Sequence, residues 1–165
     1  MLYRKQFTKE QALQKIKQFC TYQERCHYEV KEKLYTYGIY KQQVEELIAQ
    51  LIEEDYLNEE RFAIQFAGGR FRMKQWGRIK IAYELKQKQV SAYCIKTALK
   101  QIDEADYIKT LNKLTEKKWN SIEKEESNKF SRINKTTEYL LQKGYEAALI
   151  KEEITTLEKV KAQRK

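Results

Sequence analysis

Residues 61–100 contain ten basic side chains, and this density of positive charge suggests that the segment binds an anion. Only one acid, Glu84, lies in the same segment, which therefore carries a net charge of +9, equal to the net charge of the whole chain. Cations concentrated in one region predict an anionic partner. The phosphate backbone of a nucleic acid is the commonest such partner, because each neutralised phosphate releases a counterion. An acidic groove on another protein would satisfy the same charges.

The candidate binding residues are nine of these cations and one aromatic side chain that lies between basic segments. They are Arg70, Arg72, Lys74, Trp76, Arg78, Lys80, Lys86, Lys88, Lys96 and Lys100. The aromatic residue, Trp76, is the candidate for stacking on a base or for anchoring a partner. Some of the cations also fall near predicted helix C-termini, where they would stabilise the helix dipole without any partner.

Two of these lysines have an acid at helical spacing. Lys80 and Lys88 each lie four residues from Glu84, which allows an ion pair along one helix face. Among the four cations of the predicted fifth helix, we therefore expect Arg78 and Lys86 to be the least neutralised.

No residue pattern predicts catalysis, a metal or a cofactor. The single histidine, His27, follows Cys26 without the paired ligands that a zinc site needs. The triplet Glu84-Leu85-Lys86 is predicted to lie inside a helix, with no preceding strand or aspartate for a nuclease site. A Gly-x-x-x-x-Gly-Lys phosphate loop is also missing. We expect a protein that is not an enzyme and has no cofactor.

Length and composition favour an all-α fold. The chain has 165 residues, no proline and five glycines, and 41% of its residues are hydrophobic, enough for a core. Apolar residues recur at helical rather than strand spacing and predict nine helices. Thr8, Asn58 and Ser91 are predicted N-caps, and Gly38 is predicted to end the second helix.

The same composition bears on the compartment. No run of eighteen apolar residues occurs, and residues 1–5 lead into polar sequence without the apolar core of a signal peptide. The three cysteines are widely spaced, which fits reduced thiols. We expect a cytoplasmic protein with no membrane partner and no disulfide.

A helix-turn-helix pattern occurs three times along the chain. The first copy comprises Val30, Leu34, Gly38, Ile39, Val44, Ile48 and Leu51, and the second comprises Ile81, Leu85, Gln89, Val90, Ile95, Leu99 and Ile102. The third copy, around Gly144, is weaker and has Thr136 where the first has Val30. The pattern predicts an elongated tandem array of three three-helix modules, at residues 1–56, 57–104 and 105–165. Tyr37, Tyr83, Tyr139 and Tyr145 are predicted to be core residues.

The central module resembles a known family. The residues that carry the resemblance are Leu57-Asn58-Glu59-Glu60-Arg61-Phe62-Ala63, Arg70, Trp76-Gly77-Arg78-Ile79, Glu84-Leu85 and Lys88. They resemble the central motif of RecX, the bacterial regulator of the RecA recombinase, and the resemblance runs over about residues 22–154. Two positions depart from the family pattern. Gln89 stands where the family usually has glycine, so we expect that turn to close differently, and Cys26 stands where the family often has serine.

The resemblance implies a regulator of DNA repair and recombination, and of the SOS response, whose partners are the RecA filament and single-stranded DNA. It would act by blocking filament growth or promoting disassembly, and inhibition is the usual outcome. We expect the chain to be a monomer. The residues alone also allow a free-standing helical DNA- or RNA-binding protein without a recombinase partner, whose helix pairs work as helix-turn-helix units. A structural adaptor with no nucleic acid in its function is the third class.

Overall fold

The computed structural model describes residues 6–165, in which nine α-helices and no strand occur. The helices are α1 (Lys9–Tyr22), α2 (His27–Thr36), α3 (Lys41–Glu53), α4 (Glu59–Lys74), α5 (Arg78–Gln87), α6 (Ala92–Lys100), α7 (Glu104–Glu123), α8 (Lys129–Lys143) and α9 (Ala147–Gln163). This confirms the predicted all-α class. The expected absence of a signal peptide concerns residues 1–5, which lie outside the described residues. Within residues 6–165, no helix is both long and apolar enough to cross a membrane.

The chain divides into two compact units. Unit 1 takes in the chain up to Phe66 together with Leu85–Ala98, and unit 2 takes in Ala67–Glu84 and Leu99–Lys165. Helices α4, α5 and α6 therefore each contribute residues to both units. The module boundaries at residues 56/57 and 104/105 stay predictions.

The three predicted N-caps are present. The side-chain oxygens of Thr8, Asn58 and Ser91 each accept a hydrogen bond from the backbone N–H three residues later, at 3.2, 2.9 and 3.3 Å. Each cap satisfies one of the N–H groups that the first turn of a helix leaves without a partner. Helix α4 also continues through Gly68 and Gly69, although glycine has a low helix propensity.

The three helix-turn-helix units close by the same backbone hydrogen bond. In each, the N–H of the apolar residue after the turn donates to a leucine carbonyl five residues earlier. These pairs are Ile39 to Leu34 at 3.4 Å, Val90 to Leu85 at 3.1 Å and Tyr145 to Leu140 at 3.2 Å. All six side chains are buried. The predicted tandem repeat is therefore confirmed at its turns.

The residue before each of these donors has a left-handed backbone. The φ angles are 78° at Gly38, 60° at Gln89 and 95° at Gly144. The expectation that Gln89 closes its turn differently is therefore wrong. Gln89 adopts the left-handed conformation that glycine adopts in the other two turns, because the buried residues on both sides fix the path of the chain. The Cβ of Gln89 makes this conformation strained.

Gln89→Gly is expected to raise the free energy of unfolding by about 1 kcal/mol, since glycine removes that strain. The measurement is urea unfolding followed by circular dichroism. Gln142→Gly is the matched control, because Gln142 is exposed inside α8. That change should lower stability by about 1 kcal/mol. A destabilising Gln89→Gly would contradict the strain argument.

The other departure from the family pattern, Cys26, lies at the start of α2. Its backbone N–H donates to Glu29 Oε2 at 3.2 Å, and its side chain is buried. Burial raises the pKa of the Cys26 thiol, as it does for the other two free cysteines, Cys20 and Cys94. Cys26 therefore fills a core position as a protonated thiol.

The core of unit 2 is built around two tyrosines. Tyr107 and Tyr145 are fully buried, and their ring centroids lie 5.1 Å apart. The predicted core position of Tyr145 is therefore confirmed. That of Tyr83 is wrong, since 59% of Tyr83 is exposed. Thr136 is fully buried, as its place in the repeat requires.

Candidate anion-binding surface

Arg78, expected to be one of the least neutralised cations, is paired with two acids in unit 2. Its guanidinium forms ion pairs with Glu104 and, at 3.4 Å, with Glu146. It also lies 3.8 Å from the centroid of the Tyr107 ring. Burial acts to lower the pKa of Arg78, but the hydrogen bond to Glu104 and the nearby negative charges outweigh it and raise the pKa. The expectation was wrong because both acids are far away in sequence and close in the fold.

The expected ion pairs with Glu84 are also wrong. Lys88 pairs instead with Glu29 at 2.8 Å, inside unit 1. Lys80 forms no ion pair with any described acid, and its ammonium lies 4.6 Å from the centroid of the Trp76 ring. Helical spacing permits such pairs, but the tertiary partners decide which of them form.

Six of the candidate cations form no ion pair with an acid in residues 6–165. In unit 2 these are Arg72, Lys74, Lys80 and Lys100, and in unit 1 they are Lys86 and Lys96. All are exposed except the half-buried Lys80. The expectation for Lys86 therefore agrees with the structure. A single patch running from residue 70 to residue 100 stays a prediction.

Trp76 lies in the turn between α4 and α5, as predicted, and its side chain is half-buried. Three cations lie over its indole ring. Lys80 Nζ is 4.6 Å from the ring centroid, and Lys74 Nζ and Arg70 Cζ are each 5.6 Å away. The last residues of α4 and the first turn of α5 thus place their positive charges around one aromatic side chain.

The N-terminus of α5 is capped by distant parts of unit 2. Three successive backbone N–H groups donate to acceptors outside the helix. The pairs are Gly77 to the Lys143 carbonyl at 2.8 Å, Arg78 to the Tyr107 hydroxyl at 3.0 Å, and Ile79 to the Gly144 carbonyl at 3.0 Å. The amides at the start of α5 and the carbonyls at the end of α8 therefore satisfy each other.

Sequence reasoning missed the residues that supply these acceptors. The Tyr107 hydroxyl donates in turn to Glu146 Oε2 at 2.7 Å, and burial raises the pKa of Tyr107, which keeps the hydroxyl protonated. Glu146 and Tyr107 carry no spacing pattern that points to Arg78. Only Gly144, the repeat equivalent of Gly38, gave an indication that its turn is special.

The motif at residues 57–63 holds unit 1 together. Arg61 pairs with Glu24 at 2.6 Å and with Asp55 at 3.1 Å. Glu59 accepts a hydrogen bond from the backbone N–H of Ser91 at 3.0 Å, at the start of α6. Arg61 is thereby neutralised and does not belong to the candidate surface. In the described part of the chain, no group of His, Cys, Asp or Glu side chains could hold a metal ion.

Two family models match this chain. The model described as the second three-helix domain of RecX matches residues 58–99, and the model of the third three-helix domain matches residues 104–154. Among solved structures, RecX from Lactobacillus salivarius superposes with a TM-score of 0.83 at 23% identity, over 91% of this chain and 96% of that one. A second structure, of a regulatory protein RecX, gives a TM-score of 0.79 at 19% identity, over 87% of this chain and 70% of that one. These likenesses show the fold.

Curated relatives are similar in sequence as well. A protein named regulatory protein RecX from Clostridium perfringens strain 13 is 36% identical over 118 residues, which are 72% of this chain and 55% of that protein. Its namesake from Clostridium tetani is 35% identical over 117 residues, 71% of this chain and 53% of that protein. The chain spans about half the length of these curated relatives. Together, the two matched domains and the shared fold show that the chain belongs to the RecX family.

Proposed function

We propose that this chain is a non-enzymatic regulator that binds RecA recombinase filaments on single-stranded DNA and inhibits them, by blocking filament growth or promoting disassembly. The observation that carries the proposal is the set of exposed cations that have no acid partner among residues 6–165, in a chain of the RecX family. A nucleoprotein filament offers both phosphates and acidic protein side chains to such a surface. Membership of a family of regulatory proteins supports the same role.

The structure changes which residues test this proposal. Reversing the charge of Arg78 would leave Glu104 and Glu146 without their cation and would disturb unit 2 rather than a contact surface. Lys86 and Lys96 are exposed and unpaired among the described residues, so their reversal changes the surface alone.

The double variant Lys86→Glu/Lys96→Glu is expected to require at least about tenfold more protein to inhibit the ATP hydrolysis of RecA on single-stranded DNA. The matched control is Lys41→Glu/Lys151→Glu, which makes the same change in net charge at two exposed lysines of α3 and α9. The control should inhibit within about twofold of the unchanged chain, because scattered surface charges contribute little. Equal inhibition by all three proteins would exclude a contact at Lys86 and Lys96.

Co-sedimentation separates this function from free-standing nucleic-acid binding. Filaments of RecA on single-stranded DNA, the DNA alone and RecA alone would each be sedimented with the chain across a salt series. Preferential binding to the assembled filament is the expected result. Equal binding to bare DNA would overturn the filament proposal in favour of a general nucleic-acid binder.

A further inference from the structure

The Trp76 turn collects cations from three helices of unit 2. Arg70 and Lys74 come from α4 and Lys80 from α5, and all three lie over the indole ring. Lys143, the last residue of α8, adds a fourth positive charge, because its Nζ donates to the backbone carbonyl oxygen of Lys74 at 3.1 Å. Side chains from separate parts of the sequence thus meet at one short turn.

The position of this cluster is fixed by backbone contacts. The carbonyl oxygen of Lys143 accepts the hydrogen bond from Gly77 N–H at 2.8 Å, and the Tyr145 hydroxyl donates to the Gln75 carbonyl at 2.9 Å. The turn is therefore held from both sides by the end of α8 and the residue after Gly144. Preorganised cations of this kind bind an anion with less loss of side-chain entropy than scattered surface lysines.

The charges of the three lysines of the cluster are not compensated by an acid within the described chain. Lys74, Lys80 and Lys143 form no ion pair with any acid in residues 6–165, whereas Arg78, between them in sequence, has two. An aromatic ring attracts cations but does not neutralise them. The mutual repulsion of these lysine charges is relieved when an anion binds among them.

The cations over the indole also determine whether Trp76 can stack on a base. A base that stacks needs an open ring face at van der Waals distance. Lys80 Nζ, 4.6 Å from the ring centroid, stands over the ring where such a base would lie. The ring is therefore placed to hold cations, and the ligand that matches several convergent ammonium and guanidinium groups is a phosphate group.

We propose that Arg70, Lys74, Lys80 and Lys143, arranged around Trp76, form a phosphate-binding site in which the indole orients the cations and does not stack on bases. The site rests on the proposed function for its natural ligand, the phosphodiester backbone of single-stranded DNA. A free phosphate would bind through the same chemistry.

The test measures binding of the full chain to single-stranded DNA without RecA, across a salt series. Lys80→Gln and Lys143→Gln are each expected to reduce the slope of log affinity against log salt by about 0.7, the value for one lost phosphate contact on a single strand. Lys41→Gln and Lys151→Gln are the matched controls and should leave the slope unchanged. Slopes equal to that of the unchanged chain for both cluster variants would overturn the proposal.

A base-free strand separates phosphate binding from stacking. An oligomer of deoxyribose phosphate of the same length should bind within about threefold of the base-bearing strand, because the site contacts only phosphates. Trp76→Leu should weaken both strands equally. Binding to the base-free strand that is more than about tenfold weaker would show stacking and overturn the proposed role of the indole. Since Trp76 is half-buried, the lysine variants serve as the test that does not depend on its replacement.

Two further arms identify the source of the phosphate and separate this site from the function. In the first arm, inorganic phosphate at millimolar concentration competes with single-stranded DNA. If phosphate weakens DNA binding by the unchanged chain but not by Lys80→Gln, a free anion is sufficient as a ligand, and the site is supported. Inhibition of RecA by the same variants is measured in parallel. If both lysine variants keep the salt slope of the unchanged chain and still inhibit RecA, the phosphate site is refuted and the proposed function is not. If the variants reduce the salt slope as expected but the unchanged chain does not inhibit RecA filaments, the proposed function is refuted and the phosphate site is not.

Discussion

Gly77→Ala is expected to lower the free energy of unfolding by about 3 kcal/mol, as an overpacking change against backbone that cannot move aside. A Cβ on Gly77 would lie 2.3 Å from the carbonyl carbon and oxygen of Gly144. The end of α8 would have to separate from the start of α5, which would break the hydrogen bonds from Gly77 and Ile79. Urea unfolding followed by circular dichroism would show a midpoint lower by about 1.5 M, for a slope near 2 kcal/mol/M.

Gly69→Ala is the matched control for that prediction. Gly69 lies inside α4, and a Cβ there would meet no atom within 4 Å. Alanine should therefore raise the free energy of unfolding by about 0.5–1 kcal/mol, because it restricts the unfolded chain and favours the helix. Similar effects of the two alanine substitutions would refute the close packing of Gly77 against Gly144.

Tyr107→Phe is expected to lower the free energy of unfolding by about 2–3 kcal/mol, since it leaves two groups without their hydrogen-bond partner. The Tyr107 hydroxyl accepts from Arg78 N–H at 3.0 Å and donates to Glu146 Oε2 at 2.7 Å. The ring itself would stay in place, so the loss isolates the hydroxyl. The measurement is again urea unfolding.

The control for the hydroxyl is Tyr139→Phe. Tyr139 is half-buried in the same unit, and its hydroxyl makes no hydrogen bond within residues 6–165. Its loss should change stability by less than about 0.5 kcal/mol. If Tyr107→Phe were equally mild, the network around Arg78 would not contribute to the stability of unit 2.

Both large effects fall on the turn that carries Trp76. Gly77 joins that turn to the end of α8, and Tyr107 caps the helix that follows it. Variants at either position should therefore also weaken single-stranded DNA binding if the phosphate site is correct. These variants keep all four cations around Trp76, so weaker DNA binding would show that the cations had been displaced.

Local patterns in the sequence determined most of the fold. The spacing of apolar residues and the absence of proline specify helices, and the capping oxygens of Thr8, Asn58 and Ser91 specify where three of these helices begin. The repeat also predicted a turn at the same position in each of the three helix pairs, because burial at the same offsets requires a chain reversal there. Even Gln89, a poor residue for the purpose, follows the turn that its neighbours require.

The tertiary structure decided which cations are available. Helical spacing suggested Glu84 as the partner of Lys80 and Lys88, but Lys88 meets Glu29 and Lys80 meets the Trp76 ring. Ion pairs depend on distances of a few ångströms in space, and such distances between residues far apart in sequence are set only when helices pack. Arg78 shows this most clearly, since its partner Glu104 lies in α7 and its partner Glu146 lies just before α9, and no spacing pattern links either acid to Arg78.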